Sequence, residues 1–187
     1  LMGKNSPNLF FSKEVLYKYL LIFLTLVINT NEMIQKFKTI ITCFFVLANL
    51  TICLAQKQEI DHLLDAWHMA ATKADSLAYF SLMDDPSVFV GTDSFEVWEK
   101  KAFISFAGPY FAKGKAWSFT KITRNIYLDP ALPAIGWFDE MLDTWMGPCR
   151  GSGLVVKKGN KWLIKHYVLS VTVPNDKIQQ VIKAIAE

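Results

Sequence analysis

From Glu59 onward, apolar residues recur at Ile60, Leu63, Leu64, Trp67, Ala70, Ala71 and Ala74, the spacing of one helix stripe facing a core. Asp75 or Ser76 can cap a short second helix carrying Leu77, Tyr79, Phe80 and Leu82, and Asp84-Asp85-Pro86 stops it. Ser87–Val90 reads as a short strand ended by Gly91. Residues 98–113 read as a third helix with Trp98, Phe103, Phe106 and Tyr110 on a face, kinked or broken by Gly108-Pro109. After Gly114 the period changes from 3.6 to 2. Strands are expected at Trp117–Leu128, Ala134–Trp145, Arg150–Lys158 and Lys161–Val173, separated by turns at Asp129-Pro130, Gly147-Pro148 and Gly159-Asn160. A terminal helix follows, Lys177–Ala186. Helices first and an antiparallel meander second define an α+β domain, its helices packed on the concave face of a curved sheet.

Upstream of this domain the pattern differs. Apolar stretches at Val15–Asn29 and Thr39–Ala55 are too short or too interrupted for a spanning helix. Met33 precedes a short basic run containing Lys36 and Lys38, then an apolar run from Thr39, then Cys53-Leu54-Ala55 with small residues at the first and third positions. That is the layout of a signal peptide over 33–55. Residues 1–32 then read as an over-extended N-terminus and 56–187 as the mature domain, exported to the periplasm or secreted. Membrane association is expected only through an uncleaved leader.

Charge supports this division. Of 187 residues, 20 are Lys or Arg and 17 Asp or Glu, and five Lys against two Glu within residues 1–55 account for the whole net charge of +3. The remaining domain is neutral, which argues against nucleic acid as a partner. Cys149 is the single cysteine beyond residue 55, so neither an internal disulfide nor zinc-site spacing is available. No cofactor or metal site is expected.

Three features together resemble the SnoaL-like branch of the nuclear transport factor 2-like superfamily, a cystatin-like fold. They are Val90-Gly91-Thr92-Asp93 followed by Glu96 and Trp98, the Trp137-Phe138 strand, and the hairpin from Gly159-Asn160-Lys161-Trp162 to Ser170. The resemblance implies a cone-shaped α+β barrel, often a homodimer packed through the outer sheet face. It implies little chemistry, because the superfamily holds isomerases, cyclases, dehydratases and binding-only domains.

Strand alternation selects candidate site residues. On the last strand Lys165 resists unpaired burial, which places Trp162, Ile164, His166, Val168 and Ser170 on the concave face. His166 is then a candidate for proton transfer. On strand 134–145, Asp139 shares a face with Trp137 and Trp145, a setting that raises a carboxylate's pKa and suits it to act as a base. The bland alternative pairs a carboxylate of this strand with Arg124 or Arg150. Asp93 and Glu96 read as a cap. His68 lies at the edge of the first stripe. The expected site combines Asp139 and His166 as catalytic groups with Tyr110, Trp137, Arg150 and Trp162 as ligand contacts. The expected function is binding of a hydrophobic small molecule in an apolar pocket. A cofactor-free isomerase, cyclase or dehydratase is the first alternative, and a dimeric interaction module without ligand is the second.

Overall fold

The computed structural model describes residues 13–186, and the chain divides into two compact units, 1–51 and 52–187. In the first unit the described residues are helical and their apolar side chains, such as Leu20, Phe23 and Phe44, are exposed. Residues 1–12 of the expected over-extended N-terminus lie outside the described residues. No helix among the described residues is long and apolar enough to cross a membrane.

The second unit opens with the Ile52–Thr72 stretch of helix α1 (Lys13–Thr72), followed by α2 (Ser76–Ser81). Asp75 caps α2, its carboxylate accepting the Ala78 N–H at 2.9 Å. Strands β1 (Met83–Val90) and β2 (Val97–Glu99) lead into α3 (Lys100–Ala112). Then come β3 (Thr120–Leu128), β4 (Ile135–Thr144), β5 (Gly147–Lys158) and β6 (Lys161–Val171), and a 3-10 turn leads into α4 (Ile178–Ile185). The six strands form one sheet in the order β2-β1-β6-β5-β4-β3. The α+β class stands. The meander β3 to β6 is antiparallel, while β1 joins β6 in parallel, so the sheet is mixed.

Two local expectations change. Helix α3 continues past Pro109 to Ala112. Proline costs the helix a hydrogen bond, but the buried stripe Phe103, Ala107 and Phe111 continues on both sides of it. Asp84-Asp85-Pro86 does not merely end α2; it lies within β1. Asp84 is buried, and its carboxylate meets Lys158 at 2.5 Å and Lys165 at 3.1 Å. Burial alone would raise the Asp84 pKa, but hydrogen bonds from both lysines hold it below the ordinary carboxylate range.

The face assignment of β6 is corrected by a bulge. Val155 pairs with Ile164 and Leu154 with His166, which leaves Lys165 as the extra residue. Trp162 and Ile164 are buried before the bulge, Tyr167 and Leu169 after it. Lys165 is where the alternation breaks. Strict alternation left it only an outward position, whereas the bulge lets its Nζ reach Asp84 and the Pro86 carbonyl at 2.6 Å. His166 therefore faces away from the core.

The core lies between the helices and one sheet face. Trp67 stacks on Tyr79 at 4.8 Å and meets Tyr167 edge-on at 4.8 Å, and Phe89 stacks on Phe103 at 4.2 Å. These rings form part of one buried cluster between the helices and the sheet.

Candidate functional site

Asp61, Asp65 and His68 sit at i, i+4 and i+7 on α1, which places them on one helix face. Beside them run the apolar residues Ile60, Leu64, Trp67 and Ala71, so the polar row is carried toward the sheet. There it meets Arg124 of β3 and Glu140 of β4, which stand opposite each other in register. Phe138, Glu140 and Leu142 alternate inward, and the Glu140 side chain is fully buried.

Three side chains surround that carboxylate. His68 Nε2 lies 2.8 Å from Oε1, and the Tyr167 hydroxyl donates to the same oxygen at 3.1 Å. Arg124 Nε donates to Oε2 at 2.8 Å, and Nη2 lies 2.7 Å from the same oxygen as an ion-pair contact without hydrogen-bond geometry. The other guanidinium arm donates to Asp61 Oδ1 at 2.6 Å and Asp65 Oδ1 at 2.7 Å, and Lys121 closes the outer edge on the same two aspartates. Burial pushes the Glu140 pKa up, but the His68 hydrogen bond and the fields of His68 and Arg124 outweigh it, so the group sits below the usual carboxylate range. Burial opposes the charge on Arg124 too, yet Glu140, Asp65 and Asp61 raise its pKa. Burial and the neighbouring Glu140 push the Tyr167 phenol well up.

An ionised carboxylate offers only lone pairs. His68 must therefore carry its proton on Nε2, toward Glu140. Nδ1 makes no hydrogen bond among the described residues. His68 borders a cavity of about 350 Å³, shared with Phe119, Thr72, Ser118, Thr120 and Lys121. The Phe119 ring meets the imidazole edge-on at 5.9 Å. The arrangement can hold a small polar or aromatic molecule against Phe119 and present it to an oriented imidazole.

The residues selected from sequence are placed elsewhere. Asp139 lies on the outer sheet face, accepting from Asn125 Nδ2 and the Tyr127 hydroxyl, each at 3.0 Å. Trp137 is on that face as well, stacked on Tyr127 at 5.9 Å. His166 is half-buried in the same cross-strand row as Trp137 and Leu154. Arg150 is exposed opposite Met141. Tyr110 is exposed on α3, and Trp162 is buried with its indole N–H donating to Glu59 at 3.1 Å. None of the six enters the network around Glu140. The expected pairing of a β4 carboxylate with Arg124 does occur, at Glu140. His68, placed from sequence at the edge of the first stripe and not among the site candidates, is the histidine that enters this network. Its signal was the acidic spacing Asp61, Asp65 on the helix face that carries it. Among the described residues no group of three His, Cys, Asp or Glu side chains could hold a metal ion.

Solved structures of the same fold are numerous. A NTF2-like protein of unknown function from Pseudomonas putida KT2440 shares 14% identity at TM-score 0.55, over 66% of this chain and 92% of that one. A candidate scytalone dehydratase from Novosphingobium aromaticivorans shares 11% at TM-score 0.54, over 64% and 86%. The association domain of C. elegans CaMKII shares 19% at TM-score 0.50, over 63% and 96%. At these identities the likeness establishes the fold. Comparison with curated proteins gives no match. Residues 60–174 match the family described as SnoaL-like domain, and with that span covering most of the folded unit the chain belongs to that family.

Proposed function

We propose that this domain binds a small molecule in the cavity beside His68, and that the ligand contacts are His68, Phe119, Ser118 and Thr120. The observation that carries the reading is the 2.8 Å contact between His68 and a fully buried Glu140 at the wall of an open cavity. Burying a carboxylate, a guanidinium and an imidazole together is costly, and such centres concentrate at functional sites. A screen of small phenols and carbonyl compounds against the full chain tests it. Binders should be lost in a Thr72→Trp variant, which fills the cavity. Binding unaffected by that variant contradicts the proposal.

Proton transfer by His68 is a second reading, favoured by the tautomer that Glu140 imposes. With Nε2–H directed at the carboxylate, Nδ1 is the acceptor left for an O–H or a C–H next to a carbonyl. Isomerisation or dehydration without a cofactor fits this chemistry, with His68 in the role first assigned to Asp139 or His166.

Two further parts belong to the proposal. Export rests on the Met33–Ala55 pattern, and N-terminal sequencing of exported protein tests it. Self-association rests on the outer sheet face, where Tyr127 and Trp137 are about two-fifths exposed beside Leu154 and Val168. A size measurement in solution reads it directly.

A further inference from the structure

Phe119 also borders a smaller cleft of about 150 Å³. Its walls include Phe103, Phe106, Trp117, Phe119 and Trp145. Phe103 stacks on Trp117 with centroids 5.9 Å apart and on Phe106 at 6.4 Å, so these rings form a fixed array. Trp145 is 82% exposed at the rim although it borders the cleft.

One charged side chain lines this cleft, Glu96. The local backbone fixes where it points. Gly91 N–H donates to the Glu96 carbonyl at 2.8 Å, and the Asp93 N–H donates to Glu96 Oε2 at 3.3 Å. The carboxylate lies so close over Gly91 that a Cβ there would collide with it. Glu96 forms no ion pair among the described residues, and neither Lys nor Arg borders the cleft. Aromatic rings and one carboxylate disfavour an anion and add little for a neutral guest. They favour a weakly hydrated cation.

We infer that the cleft binds a small organic cation of the methylated-ammonium class. Glu96 is its counter-charge, and Trp145 covers it from the rim. The volume suits one headgroup and not a larger ring system. The inference does not rest on the His68 cavity, with which the cleft shares only Phe119.

The test uses the full chain, choline, and 3,3-dimethyl-1-butanol, which has the same shape without the charge. Tryptophan fluorescence and ligand-observed NMR are followed at constant ionic strength. Choline should bind saturably, and the neutral isostere about tenfold more weakly. Glu96→Gln should bring choline to the level of the isostere, and Trp145→Ala, a change at an exposed position, should weaken choline severalfold. The inference is overturned by no saturable response to choline, by equal binding of the two compounds, or by Trp145→Ala and Glu96→Gln both leaving choline binding intact.

Discussion

Tyr167 of β6 reaches across β5 to donate its phenolic hydrogen bond to Glu140 of β4, 3.1 Å away, and it can do so because Gly151 lies between them. A Cβ on Gly151 would collide with the Tyr167 hydroxyl and lie 3.0 Å from Glu140 Cγ. The glycine is thus the space through which the centre of the site is assembled.

Gly151→Ala should therefore destabilise the domain by about 1–3 kcal/mol, the range for forcing an extra carbon into a packed interior. Chemical denaturation measures the loss. Near-UV circular dichroism should change with it, because Tyr167 also packs on Trp67 and Phe89.

Replacing Glu140 by Leu strips Arg124 and His68 of their shared partner. The expected cost is about 3–5 kcal/mol, since a buried guanidinium is left uncompensated on that side. Glu140→Gln keeps hydrogen-bonding atoms in place and should cost less. An equal loss in both variants would show that the charge of Glu140 is not what matters.

Acid should weaken the fold at its paired carboxylates, in this centre and at Asp84. Glu140, Asp65 and Asp84 all have folded pKa values below their unfolded ones. Between the two values the unfolded chain binds more protons, so stability rises with pH there. The stabilisation is present in full above the unfolded carboxylate range, about pH 4, and is lost as pH falls through the depressed folded values. Urea denaturation across pH 2–7 should show this slope, and Glu140→Gln should flatten it.

At the alkaline end the sign reverses. Burial raises the phenols of Tyr79 and Tyr167 well above their ordinary value of 10.0. Their contribution is intact below the unfolded value and disappears as pH climbs through the folded one. Ultraviolet titration should show these two tyrosines silent near pH 10 and ionising together with unfolding.

Much of the fold was legible in the chain. The stripe from Ile60 to Ala71, the change of period after Gly114 and the Gly159-Asn160 turn each express local rules that the tertiary structure obeys. The site was less legible, for a physical reason that can be located. Alternation along β6 holds on each side of Lys165 but not through it, and one extra residue exchanges His166 for Tyr167 on the inner face. On β4 the aromatic company of Asp139 suggested a dry setting, yet Trp137 and Tyr127 form an outer-face pair, and the inward carboxylate is Glu140. Its choice follows from Phe138 and Leu142 on the same face and from Arg124 across the strand, a pairing the sequence offered without saying which carboxylate of β4 would take it.

The most direct measurement of the central claim is nitrogen-detected NMR of the His68 imidazole in the full chain, free and with a binder from the phenol and carbonyl screen. The account predicts a proton on Nε2, facing Glu140, in the free protein and a ligand-induced shift at Nδ1. A proton on Nδ1 with none on Nε2, or binders that leave both nitrogens unmoved, would contradict it.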